Sequence, residues 1–238
     1  MKVIILAAGL NKRFNGRIKC LLEINGVTFL ENQLRLLSKR KKINEVILAV
    51  NESNYKNISD KVLLFDKNLV KLKDKISLVC IKDKEVKNFN NWLSLKTSLK
   101  FVDDDVFILN SDVWIEEDYI FNGNKNLIYC INEKFVEDES TKIVKKKSLN
   151  ENLNYITKLS KTIPKNKCDG EAVGVYFIRK ETLPYLKHEL GLCNDNETYP
   201  VAVNRLIHYG HEFYDGWIDA MEVDDEKDYE ELKKWLRK

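Results

Sequence analysis

The sequence predicts a single α/β domain: a three-layer α/β/α sandwich on a mostly parallel sheet, with a small antiparallel subregion beside it. Two observations predict it. Residues 3–6, 46–50 and 106–109 are short runs that are apolar throughout, as in strands buried on both faces, and 76–81 is similar but for Ser77. Stretches with near-helical apolar spacing lie among them, and strand–helix alternation of this kind implies right-handed crossovers between parallel strands.

Taken in order, residues 1–8 form the first strand, carried by Val3, Ile4, Ile5 and Leu6, and a polar, basic loop follows over 9–19. Residues 29–37 read as a helix from Phe29, Leu30, Leu34, Leu36 and Leu37, closed by Ser38 and a basic run. Strands over 46–50 and 76–81 come next. A helix over 91–101 follows, with Trp92, Leu95 and Leu99 on one face. The strand over 106–109 ends in Asn110-Ser111-Asp112. From about residue 125 the texture changes. Residues 127–131 and 173–178 are strand-like, and the Lys-, Asn- and Ser-rich segment between them reads as an antiparallel excursion over the sheet. Lys145-Lys146-Lys147 inside it reads as a solvated hairpin tip. A helical run extends through Ile207, and residues 225–238 form an amphipathic helix on Tyr229, Leu232 and Trp235.

The 238 residues suit one large domain, and 44% apolar content excludes wholesale disorder. A net charge of +3 is too small to argue for nucleic-acid binding. No apolar run approaches the roughly 18–20 residues of a membrane span, and the first is too short for a signal peptide. Five scattered cysteines without a CxxC pair argue against a disulfide framework and a thiolate zinc site. His188, His208 and His211 share no ligand spacing. A cytoplasmic protein without membrane or nucleic-acid partners is the expectation. A homodimer stays open.

Two groups of residues carry candidate chemistry. Leu6-Ala7-Ala8-Gly9 leaves the first strand at its carboxyl end, where ligands of open α/β sheets bind. Small residues there admit a ligand to the backbone, successive N–H groups make an anion nest, and Arg13 and Lys19 add phosphate-binding cations. Asp112 follows the central strand and Asp224 precedes the last helix; two such carboxylates suit Mg²⁺, which takes one or two protein carboxylates with phosphate and water. Helix capping is the competing reading of these aspartates.

The loop resembles the N-terminal signature of the nucleotidyltransferase superfamily, LAAG-x-G-x-R followed by Pro-Lys. That superfamily covers sugar-1-phosphate nucleotidylyltransferases, phosphocholine cytidylyltransferases and MobA-like NTP transferases such as the molybdopterin guanylyltransferases. Leu6 to Gly9, Arg13 and Lys19 match, as do Asn25-Gly26 and the helix beyond. Asn11 replaces the second Gly and Ile18 the Pro; Asn tolerates left-handed backbone, while Ile18 is expected to loosen the presentation of Lys19. Trp217, Glu222, Asp224 and Asp228 resemble the superfamily's W-x-E-I-D-x-x-x-D run, with Asp224 aligned to its metal ligand and Asp225 and Asp228 serving the helix. Glu171, in Gly170-Glu171-x-x-Gly174, resembles an acceptor-binding Glu, a water-exposed strand entry being its alternative.

Asn90-Asn91-x-x-Ser94-Leu95 resembles the phosphocholine cytidylyltransferase branch and its phosphonate and phosphoamino-acid relatives, such as CTP:phosphoglutamine cytidylyltransferase. The resemblance implies a Rossmann-like fold over residues 1–238, with a nucleotide-binding part to about 125, an acceptor-facing part over about 126–215, and a metal-ligand strand and helix over 216–238. It implies Arg13 and Lys19 in catalysis, nucleotide contacts from residues 6–9, Asn90, Asn91, Ser94 and Ser111, and Mg²⁺ on Asp112 and Asp224. Glu171 and Tyr199 would bind the acceptor, Tyr199 joining Asp195 and Glu197 in a wall for a cationic headgroup. The expected reaction is Mg²⁺-dependent CMP transfer from CTP to a small phosphate or phosphonate acceptor, with pyrophosphate released, for cell-surface polysaccharide or lipid modification. The alternatives are UTP- or dTTP-dependent transfer to a sugar 1-phosphate and a non-catalytic nucleotide-binding homologue.

Overall fold

The computed structural model describes residues 1–116, 124–131, 139–148 and 154–237. The continuous apolar runs form the parallel half of a nine-stranded sheet. β1 (Lys2–Ala7) lies between β4 (Glu45–Asn51) and β6 (Val106–Asn110), and β5 (Ile76–Ile81) pairs with β4, all parallel; β5 is the edge strand, and against the expected burial its Ser77 and Cys80 are exposed and only Ile81 is buried. Alternation along each strand makes the three layers. Val3, Ile5, Val46 and Leu48 pack with Leu30, Leu34 and Leu37 of α1 (Phe29–Ser38) and with Ile58 and Val62 of α2 (Glu52–Leu64). On the other face Ile4, Ile47 and Ile108 pack with Trp92 and Leu95 of α4 (Asn91–Ser98), Leu186 of α5 (Leu183–Gly191) and Leu206 of α6 (Tyr199–His208). Between β5 and α4 lies the short α3 (Asp83–Asn88). The helix expected over 91–101 tightens into a 3₁₀ turn over Leu99–Phe101.

The part from about residue 126, expected to face the acceptor, forms the other half of the same sheet, antiparallel except for the parallel pair of residues 126–130 with 213–217. β11 (Gly170–Ile178) runs antiparallel to β6 and carries β8 (Asn126–Ile131) on its far side. β12 (Phe213–Trp217), β10 (Tyr155–Ser160) and β9 (Lys142–Lys146) continue the sheet. β9 also pairs with Gly170 and Glu171, so this half curls back onto β11. The hairpin-tip reading of the lysine run fails at Lys145. That residue lies in β9, its ammonium 3.3 Å from buried Asp215 and 4.2 Å from the Trp217 ring centroid, because Asp215 draws the charge inward. Lys146 and Lys147 are exposed. Parts of the excursion, 132–138 and 149–153, lie outside the described residues.

Two small ribbons position the site. β2 (Glu23–Ile24) and β3 (Val27–Thr28) are joined by Asn25-Gly26, both at positive φ as a two-residue hairpin requires. β7 (Val113–Ile115) pairs antiparallel with β13 (Ala220–Glu222), which brings the segment after β6 beside the one before α7 (Glu226–Trp235). Phe14, Phe29, Trp114, Val223, Tyr229 and Leu232 bury one another beneath this junction. Among the described residues no helix is long and apolar enough to cross a membrane, and the five cysteines are free thiols.

Candidate active site

The loop after β1 is held by asparagines. Asn51, buried at the end of β4, donates from its side chain to the Ala8 and Gly9 carbonyls at 3.1 Å each. Asn11 sits in left-handed backbone (φ 52°), as a residue standing in for Gly must; its amide donates to the Gly9 carbonyl (3.0 Å) and its side-chain oxygen accepts the Lys19 N–H (3.1 Å). Ile18 adopts φ −73°, inside the range a proline would fix. The expected loosening of Lys19 is therefore absent: the backbone is already proline-like, and Asn11 anchors the next N–H. A single 3₁₀ turn over Lys12–Phe14 buries Phe14 and leaves Arg13 exposed.

Four charged residues meet at the carboxyl ends of β1 and β6. The Lys19 ammonium lies 2.7 Å from Asp224 Oδ1 and 3.2 Å from Asp112 Oδ2. The Arg13 guanidinium is 3.9 Å from Asp224 Oδ2 and 3.3 Å from Glu139 Oε2. The Val223 N–H donates to the Asp112 carbonyl (2.9 Å), so the two ribbons lock the aspartates side by side. Asp225 caps α7, accepting the Lys227 and Asp228 N–H groups, while Asp228 Oδ2 accepts the N–H of Asp224 (2.8 Å) and of Asp225 (3.2 Å). Capping thus belongs to Asp225 and Asp228, and Asp224 is left to face the site.

Burial raises the Asp112 carboxyl above the usual carboxylate range, with Asp224 adding to it and Lys19 opposing. Against partial desolvation, Lys19 and Arg13 hold Asp224 below that range. Burial lowers the Lys19 ammonium, but Asp112 and Asp224 outweigh it and the net direction is upward, so the charge persists. Burial also pushes Glu222 well above its ordinary value, with Asp112 and Asp224 adding repulsion. The adjacent Cys20 thiol is pushed up to about 12, chiefly by burial, and is no nucleophile.

A cavity of about 1210 Å³ opens beside the cluster, lined among others by Arg13, Asp224, Glu222, Glu171, Tyr199 and Trp217. Asn91, Asn110, Lys161 and Lys165 also line it. Glu171 is buried in β11, which overturns its water-exposed alternative. Tyr199 is buried and donates its hydroxyl to Asn110 Oδ1 (3.1 Å), and the Asn110 amide donates to Glu222 Oε1 (3.2 Å). Gly174 makes room for Asn110: it sits at φ +70° where β11 slips register, and a Cβ there would overlap the Asn110 side chain.

The headgroup wall is not formed as expected. Glu197 turns away to grip Arg205 at 2.6 and 2.8 Å, and of the expected trio only Tyr199 lines the cavity. Leu6, Ala7 and Ala8 are buried and Gly9 is exposed with open space around its Cα, and none of the four lines the cavity. Ser94 is buried inside α4, and Ser111 is buried with its N–H on the Leu6 carbonyl, lacing β6 to β1; neither lines the cavity. Asn90 reaches the Asn196 carbonyl (3.3 Å), and Asn91 accepts the Tyr199 N–H (3.2 Å) from the cavity wall. Sequence reasoning missed Lys161, which faces the cavity and helps hold Asp224 ionised, and the Tyr199–Asn110–Glu222 chain. Glu222 carried a signal, standing two residues before Asp224; Lys161, in a lysine-rich stretch, carried none.

Asp112 Oδ1 is buried without a hydrogen-bond partner, an atom expected to demand a cation. Among the described residues no group of three or more His, Cys, Asp or Glu side chains could hold a metal. Two aspartates fit an ion that draws its remaining ligands from phosphate and water, such as Mg²⁺.

Residues 3–113 match the MobA-like NTP transferase domain, a span that holds the loop, Arg13, Lys19 and Asp112. No curated protein matches the chain. Among solved structures, the inositol-1-phosphate CTP transferase from T. maritima is 18% identical with a TM-score of 0.73, the match covering 100% of this chain and 96% of that one. The CTP:phosphocholine cytidylyltransferase from Streptococcus pneumoniae is 19% identical at TM-score 0.74, covering 99% and 98%. A UDP-glucose pyrophosphorylase complexed with UDP-glucose is 11% identical at TM-score 0.78, again covering 99% and 98%. At these identities the likeness establishes the fold: a Rossmann-like α/β core with a mixed sheet.

Proposed function

We propose that this protein is a Mg²⁺-dependent cytidylyltransferase, moving CMP from CTP to the phosphate or phosphonate of a small acceptor. The observation that carries the reading is the meeting of Arg13, Lys19, Asp112 and Asp224 beside a cavity that Arg13 and Asp224 line together with Glu171, Tyr199 and Lys161. A triphosphate would lie over the Gly9 backbone with its oxygens on Arg13 and Lys19. The acceptor anion, steered by Lys161, would attack the α-phosphorus; the new P–O bond forms as the bond to the β-phosphate bridging oxygen breaks, and pyrophosphate leaves with that electron pair. The acceptor is anionic near neutral pH, so the reaction needs no general base. Positioning and charge neutralisation are the catalytic means available to these side chains. A magnesium ion on Asp112 and Asp224 would neutralise triphosphate charge.

The preference for cytidine rests on the Asn90-Asn91-x-x-Ser94-Leu95 resemblance, supported by two fold neighbours that use CTP. The UDP-glucose pyrophosphorylase neighbours make uridine the arm to test against. Thermal shifts with CTP, UTP, ATP, GTP and dTTP, each with and without Mg²⁺, decide the base, because a ligand at 100 times its Kd stabilises by about 2.7 kcal/mol. A shift with CTP and Mg²⁺ alone is expected. A shift with UTP or dTTP instead would transfer the proposal to sugar phosphates.

A further inference from the structure

Lys19 stands where a divalent cation would. Its ammonium is within 3.2 Å of one oxygen of each aspartate proposed to hold the metal, and its side chain is only 16% exposed. Lys19 is the one cation among the described residues paired with both aspartates: Arg13 reaches only Asp224, at 3.9 Å, Lys161 acts on Asp224 from a distance, and Asp112 Oδ1 has no partner. We propose that Lys19 is a built-in placeholder for the metal, so that Lys19 and a divalent ion exclude each other from the Asp112–Asp224 pair until a triphosphate takes over the lysine. This inference rests on the proposed function and adds an order of loading to it: free metal is refused, and metal enters with the nucleotide.

The chain is built for such an exchange. The Lys19 backbone is fixed by the Asn11 side chain on its N–H and by the Leu22 N–H on its carbonyl, so the anchor stays while the side chain swings. Four methylenes give the ammonium several ångströms of reach, and the Phe14 ring, its centroid 5.7 Å from Nζ, offers an apolar surface along which the stem can turn. Charge balance favours the same sequence. One ammonium leaves the two carboxylates with a net negative charge; a divalent ion would neutralise them, but with Lys19 still in place it would meet a like charge at contact distance. A triphosphate removes that repulsion by giving the ammonium phosphate oxygens in exchange.

The test is Mn²⁺ binding to the nucleotide-free protein, followed by electron paramagnetic resonance of the free ion, for the wild type and for Lys19→Met, which keeps an unbranched stem without the charge. A nearby charge shifts an ionic equilibrium by roughly 10- to 1000-fold, so Lys19→Met is expected to bind Mn²⁺ at least about tenfold more tightly than the wild type. Adding Asp224→Asn to that variant should abolish the gain. Equal or weaker binding by a folded Lys19→Met would overturn the placeholder. A second readout uses the wild type alone: saturating Mg²⁺ should increase acetylation of Lys19 by an amine-reactive ester, measured by mass spectrometry, and unchanged labelling would count against the exchange. If neither protein binds Mn²⁺ even with each nucleoside triphosphate present, the metal-dependent function itself fails. If the wild type binds Mn²⁺ only with a triphosphate and Lys19→Met gains nothing without one, the function stands and the placeholder falls.

Discussion

Asn11 is where this chain departs from the glycine of the superfamily signature, and the structure says what the departure does. Its backbone is left-handed, and its side chain makes two bonds, to the Gly9 carbonyl and from the Lys19 N–H. A residue with an ordinary Cβ is penalised by about 1–2 kcal/mol in that conformation, whereas Gly and Asn adopt it readily. Each hydrogen bond is worth about 0.5–1.5 kcal/mol net, and solvent access at this loop places both at the low end, about 1 kcal/mol together. Asn11→Gly should therefore destabilise by about 1 kcal/mol, through the lost bonds alone, and Asn11→Ala by about 2–3 kcal/mol. At roughly 2–4 °C per kcal/mol for a domain of this size, thermal unfolding should separate the two variants by at least about 2 °C. Asn11→Gly should keep nucleotide binding, since Gly is what the related loops carry. If Asn11→Ala proved as stable as Asn11→Gly, the left-handed backbone would not be what selects Asn here.

Four further outcomes follow from the same geometry. Lys19→Ala should lose turnover by about 10²–10³-fold, by analogy with a lost oxyanion donor; near-normal steady-state rates would remove Lys19 from the chemistry. Asp112→Ala should abolish both activity and its dependence on Mg²⁺, and a residual rate still stimulated by the metal would show that the ion sits elsewhere. Gly174→Ala places a Cβ against the Asn110 side chain at φ +70°, and backbone strain with overpacking predicts a loss of about 2–4 kcal/mol in urea unfolding; an unchanged midpoint would mean that Asn110 moves freely. Glu222 has a raised carboxyl pKa, so its contribution is full below the ordinary glutamate range and is lost as pH rises toward the folded value. In metal-free protein, Glu222→Gln should remove that falling limb of the stability profile, which pH-dependent unfolding of the two proteins would show.

The centre of the parallel half was legible because β1, β4 and β6 are buried on both faces, so that Val3–Leu6, Val46–Val50 and Val106–Leu109 read as short, continuous apolar runs. α4 and α7 showed themselves by Trp92, Leu95 and Leu99 and by Tyr229 and Leu232. α2 did not, because only Ile58 and Val62 along it are buried, and its start is set by Asn51 accepting the Asn54 N–H rather than by an apolar stripe. β9, β10 and β12 were hidden for a related reason. Their polar residues bury only in the presence of one another, as Asp215 does with Lys145 and Asn154. Within the site, Arg13, Lys19, Asp112 and Asp224 were legible as residue types at strand ends, and the structure brings all four together. That Ser111 laces two strands and that Glu197 serves Arg205 are pairings between distant segments, and no local pattern announces those.

The central claim is nucleotidyl transfer by the Arg13–Lys19–Asp112–Asp224 cluster, and the most direct test is pyrophosphate release by the wild-type protein. CTP, Mg²⁺ and a panel of small phosphates and phosphonates would be supplied together, with the CDP-linked product identified by mass spectrometry. Pyrophosphate should appear only when an acceptor is present, one equivalent per product formed, and should vanish in Asp224→Ala. Nucleotide binding without pyrophosphate release from any of the five triphosphates, across phosphonate, phosphoamino and sugar-phosphate acceptors, would contradict the claim and leave a nucleotide-binding protein without catalysis.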